Sequence, residues 1–164
     1  MKNNNKGFTL VELIVVMAIL GIVATLTALS VAASNSARAE QCATSVNSLI
    51  SMCRSRSLSR AGDVQLTISL DGNGNIVGEY FKNGDGVPVS TDTFPGRGIT
   101  VLCTTIVSNS PTTNALTTEN PLTLSFDRST GAQKNSPTCT AISFTSTRTY
   151  TITLVPSTGY HHLA

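Results

Sequence analysis

The chain has 164 residues, 40% hydrophobic, 12% charged and 5% aromatic, with no Trp and a formal net charge of +2. So weak a charge argues against a nucleic-acid binder working through a broad basic surface, and the apolar content excludes an acidic disordered chain. The apolar residues concentrate near the N-terminus while the remainder is rich in Ser, Thr, Asn and Gly, the composition of an anchor followed by a polar exported domain.

Residues 1–7 are a polar leader whose charges are Lys2 and Lys6, and an apolar run follows from Phe8 to Ala33. A helix over that run would be about 39 Å long, more than the ~30 Å of a bilayer's hydrocarbon core, so it can span a membrane. The lysines precede the run and few charges lie near its far end, which places the N-terminus in the cytoplasm and the bulk outside. This is a single-pass protein of the cytoplasmic membrane, in contact with lipid. A cleaved secretory signal would have a shorter apolar core; Val31-Ala32-Ala33 could serve as its exit, but the run is too long for that reading to be preferred. Glu12 alone interrupts the run with charge. A carboxylate at the centre of an apolar span costs about 2.5–3.5 kcal/mol, which marks it as a functional residue. A cut after Gly7 would create an α-amine on Phe8 able to pair with Glu12 in the same or a neighbouring chain, setting an axial register between packed helices.

Lys6-Gly7-Phe8-Thr9-Leu10-Val11-Glu12-Leu13-Ile14-Val15-Val16 resembles the type III signal sequence of type IV pilins and of the pseudopilins of type II secretion and competence systems. The resemblance implies that a membrane-embedded aspartyl prepilin peptidase cuts after Gly7 and N-methylates Phe8, and that Glu12 aids filament assembly. It also implies the partners: the peptidase, other pilin or pseudopilin subunits packed helix to helix, and an inner-membrane assembly platform. The plainer alternative makes Gly7 a flexible residue before a helix and Glu12 a snorkelling charge on a signal anchor. Relatives often carry a helix-bending proline; this chain has none between Phe8 and Arg60, so local melting during assembly is expected at Gly21.

From Ser34 the composition turns small and polar, yet Cys42, Val46, Leu49, Ile50 and Cys53 recur at three- and four-residue spacings. This predicts an amphipathic second half of the helix laid on a folded domain, ended by Ala61-Gly62-Asp63. Arg54, Arg56 and Arg60 suit the C-terminal end of the helix dipole and read as a solvated helix end more readily than as a DNA-binding group. The expected organisation is a leader at 1–7, a transmembrane and filament-core helix at 8–33, the amphipathic half at 34–61 and an exported β-rich domain at 62–164.

Beyond Asp63 the pattern becomes short strands. Val64–Leu70 and Ile76–Phe81 form a hairpin about Asp71–Asn75, a Gly-, Asp- and Pro-rich loop covers Lys82–Gly98, and further strands are expected at Ile99–Val107, Leu122–Phe126, Thr140–Phe144 and Arg148–Val155. The fold class is therefore α+β: a long N-terminal helix packed on a mainly antiparallel, pilin-like β-sheet domain. Phe126-Asp127-Arg128-Ser129-Thr130-Gly131 and Ile152–Gly159 resemble the late turn and final strand of GspH/FimT-type minor pseudopilins. DNA-binding relatives carry basic residues after the final glycine, whereas this chain has Tyr160-His161-His162-Leu163-Ala164, which lowers the DNA-uptake reading.

Major pilins often close a C-terminal loop with a disulfide, and by that resemblance Cys103 and Cys139 are the possible bridge. Cys42 and Cys53 lie about 16 Å apart along one helix and cannot pair with each other; they are buried small residues, or one faces a sheet cysteine. The cysteines are too dispersed for a zinc site, and His161 and His162 read as solvated terminal residues. Asp71-x-Asn73-x-Asn75 has alternate oxygen ligands but lacks the Gly and closing Glu of a calcium loop, so a plain hairpin turn is the better account. Neither paired carboxylates nor a phosphate-cradling loop stands out, and no enzyme activity, cofactor or metal is expected. The reading is a minor pilin or pseudopilin, with a major pilin, a pilus-tip DNA-uptake receptor using Arg54, Arg56, Arg60 or Arg148, and a non-polymerising signal-anchored binding module as alternatives.

Overall fold

The computed structural model describes residues 9–59, 63–82, 84–108 and 110–164, without the side chains of 27–32. The expected leader, Phe8 and the Arg60–Gly62 helix end lie outside the described residues. The fold is α+β, with one helix, α1 (Leu10–Leu58), followed by nine strands. The chain divides into two units at Ser34/Asn35.

In the first unit α1 begins after Thr9 and runs unbroken through Gly21, which meets no other group within 4 Å. Its large apolar side chains from Leu10 to Leu26 are exposed, Leu10 to 76%.

In the second unit α1 buries Ala39, Cys42, Ala43, Val46, Leu49, Ile50 and Cys53 at helical spacing. Two antiparallel sheets supply the other walls of this core. One has the order β3-β2-β1-β6, built from β1 (Val64–Leu70), β2 (Ile76–Lys82), β3 (Ser90–Phe94) and β6 (Leu122–Ser125). The other has the order β5-β4-β7-β8-β9, built from β4 (Thr100–Val107), β5 (Ser110–Ala115), β7 (Thr138–Thr145), β8 (Thr149–Val155) and β9 (Tyr160–Leu163). The alternation seen in sequence sets the faces: Val64, Leu66 and Ile68 of β1 point inward, as do Ile76, Gly78 and Tyr80 of β2.

The β1–β2 turn is made by Asp71, whose Oδ1 accepts the Asn73 and Asn75 amides at 2.8 and 2.7 Å while Oδ2 accepts the Asn75 side chain at 2.8 Å. Its carboxylate is thus occupied by the turn itself, with Gly74 at a φ of 80° completing it. These bonds, the Asn75 amide first, hold the Asp71 carboxyl below the usual carboxylate range.

Three strands are absent from the sequence expectation. The Lys82–Gly98 segment, expected to be loop, contains β3, which pairs with β2 from Ile76↔Phe94 to Tyr80↔Ser90. The stretch between the expected strands Ile99–Val107 and Leu122–Phe126 contains β5, paired with β4 from Val107↔Ser110 to Leu102↔Ala115. The terminus contains β9, paired with β8 from Val155↔Tyr160 to Ile152↔Leu163. All three lie at sheet edges, where little burial is imposed and polar sequences such as Ser-Thr-Asp-Thr suffice.

The helix packs closely on the first sheet at Gly78, where an added Cβ would collide with Leu49 Cδ1. Beside it the buried Tyr80 hydroxyl donates to the Leu49 carbonyl at 2.6 Å, and the Arg56 guanidinium lies 5.1 Å from the Tyr80 ring centroid. Gly78→Ala should therefore destabilise the domain by about 1–3 kcal/mol. Chemical denaturation should show a smaller penalty when the same change is made in a Leu49→Ala background, and equal penalties would show that the Gly78–Leu49 contact is not the cause.

Candidate functional site

Gly7 and Phe8, the expected processing residues, lie outside the described residues. Glu12, the expected assembly residue, is in the first turn of α1 and exposed. Its amide donates to Thr9 Oγ1 at 3.2 Å, so Thr9 is the N-cap of the helix. Thr9-x-x-Glu12 also has the spacing of a capping box, and an acidic group here suits the positive end of the helix dipole. Sequence reasoning missed the Thr9 N-cap, although a Thr three residues before a Glu at the head of an apolar run is the signal for it.

Around and beyond Glu12 the exposed side chains Val11, Leu13, Ile14, Val15, Met17, Ile19, Leu20 and Ile22 cover every face of the helix. An apolar surface wrapping a whole helix is the kind that lipid or other helices cover. Among the described residues no helix is long and apolar enough to cross a membrane. The expected span Phe8–Ala33 includes Phe8 and the side chains of 27–32, which lie outside the described residues.

The arginines expected at the helix end take separate tasks. Arg54 donates from Nη2 to the Thr158 carbonyl at 3.1 Å, Arg56 covers Tyr80, and Arg60 lies outside the described residues. Arg54 also marks where the two late motifs meet. Gly131 and Gly159 both have positive φ, 73° and 64°. A Cβ on Gly159 would collide with the Gly131 carbonyl and come within 3.1 Å of Arg54 Nε. The Phe126–Gly131 turn, the end of β8 and the helix thus converge on one spot that only glycines fit.

Asp127 organises that turn. Its Oδ1 accepts the Ser129 amide and hydroxyl at 2.9 and 2.6 Å and the Thr130 amide and hydroxyl at 3.0 and 3.1 Å. Of the two terminal histidines expected to be solvated, His162 is exposed and His161 is not merely so. His161 Nε2 lies 2.7 Å from Ser51 Oγ on α1 and its Nδ1 lies 3.2 Å from the Gly159 carbonyl, tying β9 to the helix. His162 stacks on Tyr160 with ring centroids 6.1 Å apart.

The four cysteines are free thiols and all are buried. Cys42 donates to the Pro95 carbonyl at 3.4 Å, and Cys53, whose thiol burial pushes up to about 12, contacts the Val64 carbonyl at 4.0 Å. Cys103 and Cys139, the pair expected from the resemblance, are brought together, Sγ to Sγ 3.3 Å. A β-bulge makes the meeting possible. Thr104 pairs with Ala141 but Thr105 pairs with Cys139, so Thr140 is an extra residue that turns Cys139 to the inner face beside Cys103.

Residues 2–28 match the family described as the prokaryotic N-terminal methylation motif. Comparison with curated proteins and with solved structures gives no match.

The Asp127 carboxyl is held well below the usual carboxylate range, first by the Ser129 hydroxyl and then by the Thr130 and Ser129 amides. A group with a depressed folded-state pKa adds stability that is full above its unfolded value, near 3.9, and is lost as pH falls through that value toward the folded one. The thermal midpoint should therefore drop between about pH 5 and about pH 2 more steeply in the natural chain than in Asp127→Asn. Parallel pH profiles for the two would remove this role from Asp127.

Proposed function

We propose that this chain is a pilin-like subunit, a minor pilin or pseudopilin of the GspH/FimT type. A prepilin peptidase cuts it after Gly7 and methylates Phe8, and it is then drawn into a type IV pilus or a type II secretion pseudopilus. The observation that carries the reading is the match of residues 2–28 to the N-terminal methylation motif, which supports a type IV pilin-like prepilin handled by a prepilin peptidase and packed against other pilin subunits. The exposed apolar helix that begins beside Glu12 is the surface such packing needs. The meeting of Gly131 and Gly159 supports the finer GspH/FimT assignment, since the Phe126–Gly131 and Ile152–Gly159 segments are the ones that carry that resemblance.

In this reading the chain is anchored through Phe8–Ala33 with its N-terminus in the cytoplasm, and the β domain lies outside and selects partners. Thr9 caps the helix at the Glu12 amide, which leaves the Glu12 carboxylate to face the Phe8 amine of a neighbour and fix the axial register. The role is structural and not catalytic. Ser51 and His161 have the spacing of a nucleophile and base, but the Ser51 hydroxyl also donates to the Asn47 carbonyl at 2.9 Å, and the pair is accounted for as a tie between β9 and α1. Arg54 and Arg56 have intramolecular tasks, which weakens the DNA-receptor alternative.

Intact mass and N-terminal peptide mapping of the chain made with and without a prepilin peptidase test the processing. The expected result is peptidase-dependent loss of residues 1–7 and one added methyl on Phe8. An uncut terminus would favour a plain anchor, and cleavage near Ala33 would mean a secreted domain. Glu12→Gln should insert into membranes normally and still be cut, while its incorporation into sheared filaments falls at least about tenfold, the equivalent of ~1.4 kcal/mol. Normal incorporation would sink the charge-register role.

A further inference from the structure

A cavity of about 350 Å³ in the second unit is lined from β5 and β6, the outer strands of the two sheets, and from the inner face of β4. It stands at the small end of the ~300–1,000 Å³ that ligand pockets span, and its lining carries no charged side chain. Thr105 is the unexpected part of its floor. This residue continues the inward row of Val101 and Cys103 on β4, is 8% exposed, and its hydroxyl has no hydrogen-bond partner among the described residues. A dry hydroxyl without a partner costs free energy, and here it faces a space from which a ligand can supply the missing bond. The mouth repeats the pattern. Among the described residues the side-chain polar groups of Asn114 and Ser136 are also unbonded, and Asn120 uses only its Nδ2, on the Ala115 carbonyl at 3.4 Å. Asn135, by contrast, is taken up by the fold, its Oδ1 accepting the Ser125 amide at 3.3 Å and its Nδ2 donating to the Pro137 carbonyl at 3.1 Å. The buried Leu116 and Leu122 and the exposed Pro121 supply apolar wall.

We propose that this cavity binds a single neutral saccharide ring, with Thr105 bonding the most deeply placed ring hydroxyl and Asn114 and Asn120 those nearer the mouth. The chemistry of the lining makes the choice. A carboxylate, phosphate or ammonium group would be desolvated there without a counter-charge. A nucleobase would find no aromatic side chain to stack on. Amides and hydroxyls both donate and accept, which matches a ring that carries several hydroxyls, each itself a donor and an acceptor. The C–H faces of such a ring suit Leu116, Leu122 and Pro121. An extended peptide also offers donors and acceptors, but its backbone would lie along the open edge of β5 and leave the Thr105 hydroxyl unmet. The site lies wholly in the second unit, so it stands whether or not the chain is built into a filament.

The experiment uses the full chain in a zwitterionic detergent, because sugar-headed detergents would compete for the site. Saturation-transfer NMR is run with glucose, galactose and N-acetylglucosamine, with gluconate as a charged counterpart and acetyl-alanine methylamide as a neutral peptide. The expected result is transfer to at least one of the three neutral sugars and none to gluconate or the peptide, with protein shift changes confined to the cavity lining. Thr105→Val keeps the size and removes the hydroxyl. Its melting temperature should equal or exceed that of the natural chain, since no protein hydrogen bond is lost, while the Kd for the sugar rises about tenfold. Asn114→Ala, at an exposed position, should also weaken the sugar severalfold and keeps the test open if Thr105→Val fails to fold. No transfer to any of the three sugars, equal binding of gluconate or the peptide, or a sugar affinity unchanged in the folded variants would each overturn the proposal.

Discussion

The second unit depends on the wall that α1 offers to both sheets. The Leu49 carbonyl and side chain receive Tyr80 and Gly78 of the first sheet, and one turn further on Ser51 and Arg54 reach His161 and the Thr158 carbonyl on the second. The small residues Ala39, Cys42, Ala43 and Cys53 keep that wall shallow, so that strands can approach without large voids. Larger side chains at those positions would force the sheets outward and dilute the contacts that order β1, β2 and β8. The same helix in the first unit carries large aliphatic side chains that are exposed. One continuous element therefore changes its partner requirements along its length, and the sequence does this through both side-chain size and the polar residues that enter after Ser34.

Much of this was legible because burial leaves a periodic record. The stripe from Cys42 to Cys53 and the alternation of Val64, Leu66 and Ile68 each follow from one face being dry, and the structure buries them all. The edge strands β3, β5 and β9 left no such record. Their residues are mostly exposed, and what holds them is a ladder of backbone hydrogen bonds to a neighbour, which any polar sequence can make. Pro111, a residue type that argues against a central strand, sits on an edge strand where a missing amide is tolerated.

The candidate site was legible to the same degree and for related reasons. Glu12 announced itself by being charged where its neighbours are apolar, but its partnership with Thr9 is a local hydrogen bond that apolar patterning does not register. For the cysteines, strict alternation from Ile142 and Phe144 back along β7 would put Thr140 inward and Cys139 outward. The bulge reverses that assignment, and an inserted residue of this kind is set by how two strands pair and not by either strand alone. Gly131 and Gly159 were flagged separately, and only the folded chain shows that they touch.

The outer faces of the second sheet are fastened in an unusual currency for so polar a chain. Thr104 bonds Thr113, Ser143 bonds Thr151 and Thr145 bonds Thr149, hydroxyl to hydroxyl at 3.0–3.2 Å, while among the described residues one ion pair, Lys134 with Asp63, is formed. Neutral dipoles of this kind are indifferent to dissolved salt, whereas ion pairs on a surface weaken as counterions gather. These cross-strand ties therefore hold alike in dilute fresh water and in brine, and what salt changes in this domain acts chiefly through its apolar core.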